Sequence, residues 1–245
     1  MTKLKTTLII VVAGTLFLGS LFLYLRSGDD SYEEEELRGR IYRNEEVGYE
    51  MNYPAGWEVE ERKDFSFFHS AIDNKDFLRM GVDLDNYMEI SGISLVGSSP
   101  LTYIDGTIDY NIEQGVYFNK DELTVRQWYD IAVLMEAYHV QKIGEADFIR
   151  IRNTIIREGE VKEEREKVFD PWVSRGSLIK VGRKEVLKAT WISGHRYDGF
   201  QYYITSVGDY IFVFHFGYGG VVTPREMWQR SDRHIREMLN SLRVF

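Results

Sequence analysis

Residues 210–217 read YIFVFHFG, and this run decides the fold class. Ile211 and Val213 alternate with Phe212, Phe214 and Phe216, so both faces are apolar, as expected for a central strand covered on both sides. Working backwards, Gly208-Asp209 is a type II′-like hairpin signal joining this strand to a β-rich run over 200–207. The polar turn SGHRYDG joins that run to another over 186–192. Connections this short make consecutive strands antiparallel neighbours. Working forwards, Thr223 and Glu226 form a capping box around Pro224 at the first helical position. Met227, Trp228, Ser231, Ile235, Met238, Leu239 and Leu242 then make one stripe, long enough to pack a helix across the sheet.

The earlier part of the chain reads the same way. Val47, Tyr49, Met51 and Tyr53 alternate with polar residues in a half-buried strand, closed by Pro54 and the turn Ala55-Gly56. Residues 57–59 and 65–68 read as short strands and 87–96 as a longer one, and Asp105-Gly106 as a two-residue hairpin turn. Thr124 and Gln127 form a second capping box, with Leu123 and Trp128 at the hydrophobic-staple positions. Trp128, Ile131, Ala132 and Met135 follow on one helical face. Residues 138–177 show no clear pattern, and EGEVKEEREK over 158–167 reads as an exposed charged turn or helix end. The expected core is Trp57, Trp128, Trp191, Phe212, Phe214, Trp228 and Leu239. Trp57, delivered straight from the 54–56 turn, is expected as a buried anchor under a helix rather than an exposed stacking platform.

Ahead of this domain, residues 8–25, LIIVVAGTLFLGSLFLYL, carry no charge and just reach across a hydrocarbon layer of ~30 Å. They predict an uncleaved signal anchor; a cleaved signal peptide is the alternative. Lys3 and Lys5 precede the span while Asp29, Asp30 and Glu33 to Glu36 follow it, so the bulk of the chain is expected outside the cytoplasm. The domain plan is therefore a cytoplasmic 1–7, a transmembrane 8–25, an acidic linker 26–40 and a folded domain 41–245. The linker reads as a solvated, self-repelling tether, with a Ca²⁺-attracting patch as the sharper alternative.

Lys3, Lys5 and Arg26 are three of the 30 basic residues, so residues 27–245 hold 27 basic against all 39 acidic ones, a net −12. That balance excludes an electrostatic footprint for nucleic acid or anionic lipid. The lack of any cysteine excludes disulfides, thiolate metal sites and a cysteine nucleophile.

The opening RNEEVGYEMNYPAGWEV resembles the start of PsbP-like domains. The closing stretch, from IKVGRKEVLKATW through GDYIFVFHFG to MLNSLRVF, resembles their end. The resemblance implies an α+β fold in which helices sandwich an antiparallel sheet, the Mog1/PsbP-like fold. Plant members of the family assist the oxygen-evolving centre of photosystem II. Nothing in this sequence is specific to photosynthesis, so that role is not carried over.

No motif supplies chemistry. G-x-S-x-G and H-E-x-x-H are absent, and no two of His69, His139, His195, His215 and His234 stand at i, i+3 or i+4 on one helix. His215 is expected as a buried, hydrogen-bonded histidine, with a catalytic base as the alternative. His195 lies in a polar turn. Asp83-Leu84-Asp85 starts like a calcium loop but has Tyr87 and Met88 where a ligand and a glycine belong. Residues 217–220, GYGG, lack the third glycine of a phosphate-binding loop. No catalytic, cofactor-binding or metal-ligating residue is assigned, and no cofactor. The expected function is a non-catalytic, extracytoplasmic binding or accessory module, held in the membrane by its N-terminal helix, with an unidentified protein partner. The alternatives are an enzyme whose site is assembled from distant residues, recognisable by a cleft gathering two or more histidines with carboxylates, and an envelope sensor or structural component.

Overall fold

The structure is a computed structural model and describes residues 39–62, 76–103, 106–161, 168–169, 173–192, 199–218 and 225–245. By internal contacts the chain divides into residues 1–40 with 54–56, nearly all outside the described residues, and a second unit of 41–53 with 57–245. The expected strand at 65–68 and the span at 8–25 lie outside the described residues, among which no helix is long and apolar enough to cross a membrane.

The fold is α+β with antiparallel sheets. Strands β1 (Arg40–Asn44) and β2 (Tyr49–Tyr53) are followed by β3 (Glu58–Arg62) and the single-turn helix α1 (Asp76–Arg79). A 3₁₀ turn over Leu84–Tyr87 leads into the long strands β4 (Glu89–Tyr103) and β5 (Gly106–Phe118). Helices α2 (Val125–His139) and α3 (Glu145–Glu158) come next. Strands β6 (Ser177–Val181), β7 (Lys184–Ile192), β8 (Gly199–Val207) and β9 (Tyr210–Tyr218) follow, and the chain closes with α4 (Arg225–Ser241) and β10 (Arg243–Val244). The main sheet has the order β3-β4-β5-β9-β8-β7-β6, and a small one has β1-β2-β10.

Strand β9 lies at the centre of the seven, as its two apolar faces required. Ile211 and Val213 belong to a core shared with α2 and α3, through Trp128, Ile131, Phe148 and Ile151. Phe212, Phe214 and Phe216 belong to the opposite core, shared with Ile235, Met238 and Leu239 of α4 and with Tyr49 and Met51 of β2. The sheet is thus sandwiched, and one strand supplies both cores. Trp57, 5% exposed, lies in the α4-side core with its ring edge-on to His234 at 5.1 Å, the buried anchor expected of it. Trp128, Phe212, Phe214 and Leu239 are also buried as expected.

Local signals explain the element ends. Gly208 has φ +60° while Asp209 is not left-handed, so the β8–β9 turn is the type II′ form. Thr124 Oγ1 accepts from Gln127 N at 3.2 Å and Gln127 Oε1 accepts from Thr124 N at 2.9 Å, the expected capping box. Gln127 Nε2 also donates to Ile156 O at 3.2 Å, satisfying a carbonyl in the last turn of α3. Ten of the fifteen α2 residues are buried, more than a single apolar stripe provides, because α3 covers the side turned away from the sheet.

Three expectations are refined. The β4–β5 turn falls one residue earlier than Asp105-Gly106, since Tyr103 pairs with Gly106 and Gly106 is already strand. Strand β4 starts after Tyr87, which belongs to the 3₁₀ turn, and runs on to Tyr103 with a register shift between Ser98 and Thr102. That shift brackets Pro100, which has no N–H for the ladder. Within 138–177 lies α3, and β6 begins at its last residue; no clear pattern announced either.

Candidate functional site

Two polar assemblies stand out against the apolar cores. The first crosses the α2-side face of the sheet. Alternation puts Glu113 and His215 opposite each other on β5 and β9, and His215 Nε2 meets Glu113 Oε2 at 2.8 Å. Arg62 of β3 donates to Glu113 Oε1 at 2.9 Å, and the ring of Tyr202 on β8 stacks on His215 at 5.6 Å. Burial pushes the Glu113 carboxyl up, but the hydrogen bond and charge of His215, helped by Arg62, more than offset this and hold it below its ordinary value.

Glu89, at the start of β4, lies across Gly92 and Gly115, where a Cβ on either residue would meet its carboxylate. Burial, reinforced by the charge of Glu113, pushes the Glu89 carboxyl up to about 8 against the hydrogen bond from Tyr117. Glycines at 92 and 115 are therefore what lets an acid lie flat against the sheet.

His215 has the carboxylate partner that orients a general base. The residue is nonetheless buried and its ring held between Glu113 and Tyr202, the setting of the buried, hydrogen-bonded histidine expected from the sequence. The described histidines do not converge. His139 is exposed at the end of α2, His234 is buried in the α4-side core, and His215 lies on the opposite face of the sheet. His69 and His195 lie outside the described residues, as do residues 219–220 of the GYGG stretch. Asp83 is a structural residue: its side chain accepts from Asp85 N at 3.1 Å, capping the 3₁₀ turn, and pairs with Lys120 at 2.7 Å. Among the described residues no three His, Asp or Glu side chains are grouped to hold a metal ion.

The second assembly is a groove of about 540 Å³ between α4 and the β6–β7 hairpin. Its helical wall is Asp232, Arg233, Arg236, Glu237 and Asn240, one face of the C-terminal half of α4; its other wall is Lys180, Val181 and Gly182. Gly182 has φ +59°, a conformation that favours glycine, and its bare Cα leaves room for Asn240 Oδ1 of the helix to lie against the turn. Lys188 Nζ and Arg236 Nε each reach Asp232 at 2.6 Å, and Tyr203 also donates to it. Burial pushes the Asp232 carboxyl up, but these donors hold it below its ordinary value. Lys184 Nζ donates to Asn240 O at 3.3 Å, and burial lowers its pKa.

Asp232 is therefore satisfied by its own neighbours; within the groove Arg233 and Arg236 stand against Asp232 and Glu237, and the basic excess comes from the adjoining hairpin, where Lys184 and Lys188 lie on the same face. Residues 175–188 carry Arg175, Lys180, Arg183, Lys184 and Lys188 against Glu185 alone, in a chain of net charge −9. None of these groove residues was singled out from the sequence. The local excess of Lys and Arg over 175–188 was readable, but its meeting with α4, some 50 residues on, was not.

No family model matches the chain, and no curated protein matches it. Among solved structures the chain is similar to a crystal structure from Bacteroides thetaiotaomicron, at 12% identity over 85% of this chain and 49% of that one, with a TM-score of 0.39. It thus spans about half the length of the Bacteroides chain. It is also similar to the solution structure of cyanobacterial PsbP from Synechocystis, at 12% identity over 84% of this chain and 92% of that one, with a TM-score of 0.37. At these identities and TM-scores neither match lends a residue or a function.

Proposed function

We propose that the chain is a membrane-anchored, extracytoplasmic binding or accessory module without catalytic activity, and that it takes a protein partner in the groove between α4 and the β6–β7 hairpin. The observation that carries the reading is the groove itself: a concave site formed where a helix meets a basic hairpin on an otherwise acidic chain. The anchor rests on the uncharged run 8–25 and on Lys3 and Lys5 ahead of it. The His215–Glu113 pair serves the sheet rather than a reaction, since its ring is stacked and buried.

Two measurements test this. The full chain should stay with membranes through carbonate extraction, and protease added to spheroplasts should remove what lies beyond residue 27. A soluble mature form beginning between residues 19 and 32 would replace the anchor with a cleaved signal. The detergent-extracted chain should capture a partner that a Lys184→Glu, Arg233→Glu variant of unchanged circular dichroism does not. Equal capture by both would remove the groove from the function.

A further inference from the structure

Strand β6 ends the seven-stranded sheet, so one of its edges is unpaired among the described residues. Val181 pairs with Lys184 across the two-residue Gly182-Arg183 turn, and the pair flanking such a turn is hydrogen-bonded on both sides. Alternation then turns the backbone groups of Val181, Ile179 and Ser177 toward β7 and those of Leu178 and Lys180 outward. The same alternation sends the Lys180 side chain to the α2-side face, so Lys180 meets the groove through its edge backbone.

The two edges of this sheet differ. β3, EVEER, carries charge at four of its five positions, a common protection against further pairing. β6, SLIKV, has one charge, no proline and an unbroken register with β7, and its Leu178 is 46% exposed. The groove meets this less protected edge at its hairpin end, at Lys180, Val181 and Gly182, beside Lys184, Arg233 and Arg236, so a segment leaving the groove along β6 passes Leu178 next.

Resting on the reading of the groove as the binding site, we propose that the partner enters it as an extended acidic segment that pairs with the outer edge of β6. The backbone of Leu178 and Lys180 supplies up to four hydrogen bonds, and the cations of α4 and β7 attract the segment's carboxylates. Strand addition of this kind draws affinity from the main chain and selectivity from alternate side chains. The choice of an acidic segment follows from charge complementarity with a basic locale on an otherwise acidic protein.

The test uses the full chain in detergent and a fluorescent octapeptide alternating Glu and Val, read by anisotropy. Leu178→Pro deletes an outward N–H while leaving the β7 ladder intact, a place where an edge strand tolerates proline. It should weaken binding ~10-fold, the loss expected from about one good hydrogen bond, with little change in thermal midpoint. The Lys184→Glu, Arg233→Glu variant should weaken it as well, and a Lys/Val octapeptide should not bind. Should Leu178→Pro fail to fold, the same Glu/Val peptide with alternate amides N-methylated must bind the unmodified protein ~10-fold more weakly. Unchanged binding by Leu178→Pro, or by the methylated peptide, alongside loss on charge reversal overturns strand addition and leaves the groove as a plain anion site. No octapeptide binding, or binding insensitive to every variant, overturns both readings.

Discussion

Glu89→Gln should stabilise this protein in alkaline solution and leave it unchanged in acid. The Glu89 carboxylate lies against Gly92 and Gly115, with Oε2 2.9 Å from where a Cβ at Gly115 would stand, and burial followed by the charge of Glu113 raises its pKa from 4.5 to about 8. The folded state therefore binds more protons than the unfolded chain between those values. Stability falls as pH rises through that window and levels off above about 8. The full difference corresponds to a ceiling of ~5 kcal/mol at 1.36 kcal/mol per pH unit. The side chain is only half-buried and water screens part of the effect, so ~2 kcal/mol is expected. Urea unfolding followed by tryptophan fluorescence at pH 3.5, 7 and 9 reads this directly. The two proteins should coincide at about pH 3.5, below the unfolded-state value, and diverge by ~2 kcal/mol at pH 9, with Glu89→Gln the more stable. Asp130, which burial pushes up to about 6, adds a slope of the same sign to both proteins, so only their difference reports on Glu89. Parallel pH profiles for the two proteins would refute the reasoning.

Trp57→Ala should cost roughly 3–5 kcal/mol in the same urea assay, the usual loss for a buried aromatic, because the indole is sealed against His234 and the α4-side core. Wild-type stability with lost partner binding would instead make Trp57 part of the binding site. Thr124→Ala should cost about 1 kcal/mol by removing the acceptor for Gln127 N, whereas Thr124→Asp should restore most of it. Equal losses for both substitutions would show that the cap contributes little.

The candidate sites were far less legible in the sequence than the fold. Glu113 and His215 are 102 positions apart and meet only because β5 lies directly beside β9, a pairing that no local pattern encodes. Glu89 looks like an ordinary strand-edge acid until the fold places it over Gly92 of its own strand and Gly115 of the neighbouring β5. Helix α3 did leave a trace, with Phe148, Ile151 and Ile155 on one face and Gly159 just past its end. Charged residues between those apolar ones obscured the stripe. Strand β6 left almost none, because an edge strand with an exposed leucine lacks clean alternation.

What the sequence determined by itself was local and periodic. Apolarity on both faces of 210–217 specified a central strand, Gly208-Asp209 specified its hairpin, and Thr124 with Gln127 specified where α2 begins. Each of these needs only a few neighbouring residues to satisfy hydrogen bonds or to separate apolar from polar faces. Only the tertiary structure decided the strand order, the removal of Glu89 and Glu113 from bulk water, and the groove where α4 meets the β6–β7 hairpin. Those depend on contacts between residues distant in the chain, which are fixed by burying both faces of the sheet at once and therefore exist only when the whole domain has assembled.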